Sequence, residues 1–381
     1  MRLMRMSEKL ENEIGFALPG EAWLRSPKFS KKILAAIKRI ARSINYTVKI
    51  MHVCGTHEHV ICENGFRPLL PKNLEIISGP GCPVCVCPAI DIDRAIALAK
   101  RADVILSTFG DMIRVPSSRQ SLMEQKAKGS DIRVVYGPSE AIKIALDNPE
   151  KEVVFFSIGF ETTAPLPALE LTNKPPDNFS ILCAHKTIPP AMELIVGLPD
   201  IEIDGFITPG HVAVILGEEP FKLFSDAYRY TNVITGFEPN DLLLGIFLTL
   251  KQIKENDPKT INEYSRIVKP EGNKKARKIM YDVFEPETSR WRGIGKIRDG
   301  GLKIKDKYAD YDALKKFNIE IKDSIDIPLG CSCHLVLTGK MKPKECPLFG
   351  KGCTPLHPVG PCMVSHEGTC KIAYTFKDVT L

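Results

Sequence analysis

Between residues 48 and 254 the chain alternates short, almost wholly apolar segments with longer amphipathic ones. The apolar segments are Val48–Val53, Leu74–Ile77, Val104–Ser107, Arg133–Tyr136, Val153–Ile158, Ser180–Ala184, Gly205–Thr208 and Asn232–Thr235. Between them lie Ala89–Arg101, Ser139–Asp147, Ala191–Val196 and Asp241–Lys254, which read as helices. Another helix, Phe29–Ile44, precedes the series, with Ile33, Ile37, Ile40 and Ala41 on one face. A strand without a polar face must be covered on both sides, so the alternation predicts an α/β fold of parallel sheets sandwiched by helices. Four strands fall on each side of Gly137-Pro138. That favours two Rossmann-like domains, residues 46–137 and 138–264, facing each other across a cleft; an eight-stranded barrel is the rival. Residues 1–45 form an N-terminal helical segment.

Chemistry-bearing residues gather where these strands end. Cys54-Gly-Thr-His-Glu58 follows the first strand and Gly79-Pro-Gly-Cys-Pro-Val-Cys85 the second. Thr108-Phe-Gly-Asp111, Gly159-Phe-Glu-Thr-Thr163, His185-Lys186, Thr208-Pro-Gly-His211 and Gly236-Phe-Glu238 follow later strands. In open parallel sheets the carboxyl edge is where ligands bind. Loops there are polar by default, but cysteine and histidine are not default loop residues.

After Asp257 the alternation fades. Residues 265–381 read as a basic helix (Ser265 to Phe284), a hairpin (Trp291 to Lys307) and a Pro-, Gly- and Cys-rich tail. The stretch Arg266 to Lys307 holds 13 basic and 6 acidic residues, more than the whole chain's excess of +6. A solvated face explains this first and a docking face for an acidic protein second. No nucleic-acid motif accompanies the charge, so nucleic acid is not expected as a partner. The apolar run Leu242 to Leu250 is far short of the ~20 residues a membrane helix needs. Met1 to Gly15 has no apolar core of the kind a secretory signal carries. We therefore expect a soluble, cytoplasmic protein of a reducing compartment, with no membrane partner.

In such a compartment twelve cysteines point to metal or redox chemistry before disulfides. Five lie between residues 54 and 87 (Cys54, Cys62, Cys82, Cys85, Cys87) and six in the tail (Cys331, Cys333, Cys346, Cys353, Cys362, Cys370), with Cys183 alone. A tail of ~50 residues with so little apolar pattern needs a metal or covalent staple. Zinc usually shows paired C-x2-C knuckles, whereas an iron–sulfur cluster takes four thiolates from separated turns. The spacing favours the cluster over zinc or purely structural thiols. The preferred ligands are Cys331, Cys346, Cys353 and Cys370, with Cys333 and Cys362 as substitutes or neighbours.

The first group is different. Cys82-Pro-Val-Cys85 stands before the helix that Pro88 opens, where the macrodipole favours thiolate. It suits a dithiol/disulfide couple or a soft-metal ligand pair, and Gly79 and Gly81 let the backbone approach a ligand closely. Cys54, Cys82 and Cys85 beside His57 and Glu58 make a plausible mononuclear iron site. His57 reads equally as a ligand, a proton donor or a satisfied core histidine. Cys62 and Cys183 read as small core residues, and Cys87 is ambiguous. A Cys54/His57 protease dyad lacks an orienting Asn or Asp. No G-x-x-x-x-G-K-[ST] loop occurs, and Gly293-Ile-Gly295 lacks the third glycine of a dinucleotide fingerprint.

Together Cys54-Gly-Thr-His-Glu58, Gly79-Pro-Gly-Cys-Pro-Val-Cys85, Gly159-Phe-Glu-Thr-Thr163, Thr208-Pro-Gly-His211 and Cys346-Pro-Leu-Phe-Gly…Gly360-Pro-Cys-Met-Val-Ser…Glu367-Gly resemble the HypD family of hydrogenase maturation proteins. The resemblance runs from about residue 46 to 375. It implies two α/β domains and a C-terminal [4Fe–4S] domain. It also implies a scaffold, shared with the chaperone HypC, for the Fe(CN)2CO unit of [NiFe]-hydrogenases, with cyanide received from HypE and HypF. By the resemblance, Cys54 is a ligand of the iron unit, and Cys82 and Cys85 are a thiol/disulfide pair passing electrons between cluster and iron. His57, Glu58, Glu161, Thr162 and His211 line the cleft. A dithiol oxidoreductase acting on a partner protein is the alternative function.

Overall fold

A computed structural model describes residues 22–377. All eight expected strands are present: β1 (Val48–His52), β2 (Leu74–Ser78), β3 (Val104–Thr108), β4 (Ile132–Val134), β5 (Glu152–Gly159), β6 (Phe179–His185), β7 (Gly205–Pro209) and β8 (Thr231–Thr235). Three more follow: β9 (Thr260–Asn262), β10 (Phe284–Trp291) and β11 (Gly295–Ile304). The short β9 lies within the stretch where the alternation fades. The hairpin opens seven residues before the expected Trp291, because Trp291 sits at its turn, pairing with Gly295. The basic helix is confined to Lys274–Val283.

The chain divides into two compact units. One takes the described residues up to Gly79, together with Pro199–Gly272 and residues 375–377; the other takes Pro80–Leu198 and Asn273–Tyr374. The first unit holds a five-stranded sheet in the order β2-β1-β7-β8-β9, the second a four-stranded sheet in the order β4-β3-β5-β6 and the β10-β11 hairpin. Both sheets are parallel throughout and open, so there is no eight-stranded barrel among the described residues.

Strand grouping departs from the order in the chain. The division expected at Gly137-Pro138 runs through the second sheet, since β3 and β4 precede it and β5 and β6 follow it. The physical reason lies in β1. Val48, Ile50 and Met51 are all buried, so β1 is an interior strand and both its backbone edges need partners. One edge takes β2, in register Val48↔Leu74, and the other takes β7, in register Ile50↔Gly205. The edges of β3 are filled by β4 and β5.

The core of the first unit forms where the helices Pro27–Ala41 and Pro239–Glu255 pack on each other and on the sheet. Phe29, Ile33, Ile37, Ile50, Ile207 and Phe247 belong to it. The run Leu242–Leu250 is buried within the second of these helices, and no helix among the described residues is long and apolar enough to cross a membrane. Residues 1–21 of the expected N-terminal helical segment lie outside the described residues; within the rest of it Pro27–Ala41 is helical.

Candidate functional site

In the first unit the sheet order makes neighbours of three motifs that are far apart in sequence. Cys54–Glu58 follows β1, Thr208–His211 closes β7, and Gly236–Glu238 follows β8. Cys54 is the extended residue capping the helix Gly55–Glu63, and it is buried. The carboxylate of Glu58 turns toward three groups: His52 Nε2 and Arg67 Nη2, each 2.7 Å from Oε2, and the Cys62 thiol, 3.5 Å from Oε1. Burial alone would raise this carboxyl, but the Arg67 charge and the His52 hydrogen bond outweigh it and hold it well below the carboxylate range. Glu58 thereby ties the end of β1 to the helix that Cys54 caps. Cys62 is a member of this network rather than filler, and burial pushes its thiol up to about 12.

His57 is fully buried, and Nε2 donates to the Gly236 carbonyl at 3.0 Å. Its ring stacks on Phe237 at 4.8 Å, and the His211 ring stacks on the same Phe237 at 3.7 Å. Burial, assisted by nearby His52, pushes the His57 imidazole down to about 3, so it is neutral at physiological pH. The structure thus brings together Cys54, His57, Glu58 and His211.

The second unit holds the other candidates. Cys82 and Cys85 are joined as a disulfide, in which form neither sulfur is a thiolate. The helix that Cys82 caps is the single turn Pro83–Val86, and Pro88 caps a separate helix, Ala89–Ala99, so the C-x-x-C does not sit at the start of the longer one. Of the three thiols expected at one iron site, Cys54 belongs to the first unit and Cys82 and Cys85 to the second. Pro83–Val86 packs against the 3-10 turn Pro361–Met363, and Val86 O accepts from Arg292 N at 2.9 Å.

Glu161 and Thr162 form part of the turn after β5. Glu161 Oε1 accepts from Ile188 N at 2.9 Å, while Oε2 is buried without a hydrogen-bond partner. Burial pushes this carboxyl up to about 7, where it can take or give a proton near neutrality. His185, closing the adjacent β6, bonds Ser157 Oγ through Nε2 at 2.8 Å and is held neutral by burial.

All six tail cysteines line one cavity, with Leu348 and Phe349 in its wall. Cys331 follows a turn closed on Pro328 O, Cys346 ends the turn Pro343–Glu345, and Cys353 bridges back to Phe349. Cys362 sits in the turn Pro361–Met363 and Cys370 in the helix Thr369–Thr375. A side chain on Gly360 would put a Cβ 2.6 Å from the Cys331 sulfur, so only glycine leaves that thiol its place. Cys333 takes hydrogen bonds from Cys331 and Cys362, which hold its thiol below the usual range. Val359 N points at Cys353 Sγ from 3.3 Å. Among the described residues no three His, Cys, Asp or Glu side chains already stand in a metal-holding arrangement. The donor set nonetheless fits a four-thiolate cluster: soft sulfurs from separate turns and short helices, apolar walls and a backbone N–H directed at sulfur.

Several groups in these networks lie outside any quoted motif. His52, Arg67 and Arg292 were not legible as site residues. A charged or imidazole side chain is their one signal, and it is common.

The family model described as "HypD: Hydrogenase formation hypA family" matches residues 28–377. A protein of Methanocaldococcus jannaschii named for hydrogenase expression and formation is 47% identical over 353 residues, covering 92% of this chain and 97% of its own. A hydrogenase maturation factor of Bradyrhizobium diazoefficiens is 45% identical over 339 residues, covering 86% and 89%. The hydrogenase maturation factor HypD of Rhodobacter capsulatus is 43% identical over 357 residues, covering 91% and 95%.

Proposed function

The chain belongs to the HypD family of hydrogenase maturation factors, and from that premise we propose that it is the scaffold on which the Fe(CN)2CO unit of [NiFe]-hydrogenases is built, together with a HypC-type chaperone. The iron unit is cargo, and its cyanide comes from a HypE/HypF system. Cys54 is the ligand this chain offers to it. Fe(II) with strong-field diatomic ligands calls for a soft thiolate donor. Cys54 stands at the carboxyl end of an interior strand, anchored from behind by Glu58, with neutral His57 in the next turn. Cys82 and Cys85 act as a redox couple: two electrons and two protons open the disulfide, and the resulting thiols can lose protons to become iron ligands. Glu161, buried and close to neutral in its titration, is suited to exchange such protons. Cys331, Cys346, Cys353 and Cys370 would hold a [4Fe–4S] cluster, which supplies single electrons when bound. Cys333 and Cys362 flank that site.

One observation carries the reading. Six cysteines converge on one cavity whose wall, the turn Pro361–Met363, packs against the one-turn helix bearing the Cys82–Cys85 disulfide. A zinc staple needs no disulfide beside it.

The test is infrared spectroscopy with iron and sulfide analysis on protein purified anaerobically with its HypC-type partner. Cyanide and carbonyl stretches and about four irons and four sulfides from the cluster are expected. Cys54→Ala should abolish both the stretches and hydrogenase maturation while leaving the cluster's visible absorption intact. Full maturation by Cys54→Ala sinks the ligand assignment. The disulfide also suits an iron–sulfur dithiol oxidoreductase acting on a partner protein; absent stretches with sustained disulfide reduction would favour that reading.

A further inference from the structure

The loop after β8 is held from three sides, and each hold leads back to His57. Gly236 N donates to Glu263 Oε2 at 3.1 Å, while Gly236 O accepts from His57 Nε2 at 3.0 Å. Glu238 N donates to Asp241 Oδ2 at 3.1 Å. The Phe237 ring is stacked between His57 and His211 and meets the edge of Tyr264 at 5.9 Å. Arg266 grips both oxygens of Asp241 and lies 4.6 Å over the Tyr264 ring. Gly236 is required here: a Cβ would sit 2.1 Å from Asp241 Oδ2 and 2.7 Å from Tyr264.

A carbonyl only accepts, so the bond to Gly236 places the His57 proton on Nε2. Nδ1 is then the lone-pair nitrogen, and it is buried without a hydrogen-bond partner. Flipping the Gly236 peptide or sliding Phe237 would release that choice. What prevents both is a carboxyl pair. Glu263 and Asp241 are both buried, and Arg266 reaches each of them, gripping Asp241 and lying 3.9 Å from Glu263 Oε1. Burial and the neighbouring Asp241 raise the Glu263 carboxyl.

We propose that Glu263, with Asp241, Arg266 and Tyr264, is a positioning clamp that fixes His57, three residues after Cys54, as the Nε2–H tautomer with its buried Nδ1 lone pair left available. Its bearing on maturation rests on the reading of His57 as a group of that site.

The test is 15N–1H correlation of imidazole resonances in the full-length, histidine-labelled protein, with the His57 signals identified by their loss in His57→Gln. The parent should show a single Nε2–H pattern. Glu263→Gln keeps it, since the amide carbonyl accepts from Gly236 N and the NH2 donates to Asp241. Glu263→Ala should give mixed tautomers and lower maturation by about 10-fold or more. Should Glu263→Ala not fold, Tyr264→Leu is read in the same way, with Phe237 losing its edge contact. Unchanged His57 resonances in a folded Glu263→Ala or Tyr264→Leu variant overturn the clamp, as does loss of the pattern in Glu263→Gln. If tautomers mix in Glu263→Ala while His57→Gln still matures hydrogenase fully, the clamp stands and the role of His57 falls.

Discussion

Glu58 and Glu161 are equally buried, at 2% and 1% exposure, yet their carboxyls move in opposite directions. The difference is the company each keeps. Glu58 has Arg67 and His52; Glu161 has one backbone N–H and a bare second oxygen. Both acids stand in quoted motifs, but their partners lie elsewhere in the chain, so the motifs alone could not tell an anchored ion pair from a proton-exchanging acid. Glu161 makes stability depend on pH. Its carboxyl is raised from 4.5 to about 7, so between those values the folded chain keeps a proton that the unfolded chain has released. Stability therefore falls as pH rises through that window, by about 3 kcal/mol in total, and is fully present below it. Glu161→Gln is neutral at every pH and removes the decline. Denaturant titrations should show it gaining on the parent at pH 8 and matching it at pH 4; equal pH slopes would mean that Glu161 titrates normally.

Among the elements, strands were the most legible because an all-apolar run bounded by Gly, Pro or Asn has few alternatives. Their partners were not legible. β1 pairs with β7 across some 150 residues, and nothing local to Ile50 announces Gly205. The helix Pro27–Ala41 was legible from its periodicity, but what holds it was not. Asn240, at the start of the helix Pro239–Glu255, donates to the carbonyls of Trp23 and Ser26 and accepts from Ser30 Oγ at 2.7 Å. Asn240→Ala removes three hydrogen bonds to this segment and should cost about 1–3 kcal/mol. Hydrogen exchange should accelerate across residues 27–41 and stay unchanged in β3 and β5; uniform acceleration would mean that Asn240 supports the whole fold rather than this helix.

At the scale of the molecule, the chain leaves the first unit after Gly79 and returns at Pro199. The cysteine-rich tail belongs to the second unit and is built from short turns around a cavity, with a thin apolar core of its own. A bound cluster should supply the stability that this core lacks. Loading iron and sulfide should slow hydrogen exchange across residues 328–374 and leave β1, β7 and β8 unaffected; equal rates before and after loading would show that the tail's thiols hold nothing. By itself the sequence determined the kinds of element and the edge of the sheets at which chemistry collects, because burial pattern and turn chemistry are local. It also placed six cysteines in one short tail. Only the tertiary structure decided which strands are neighbours, that Cys82 and Cys85 share a bond, and that Glu263 stands behind His57. Those outcomes depend on backbone edges and buried charges finding partners from distant segments, and no local pattern records which partner is met.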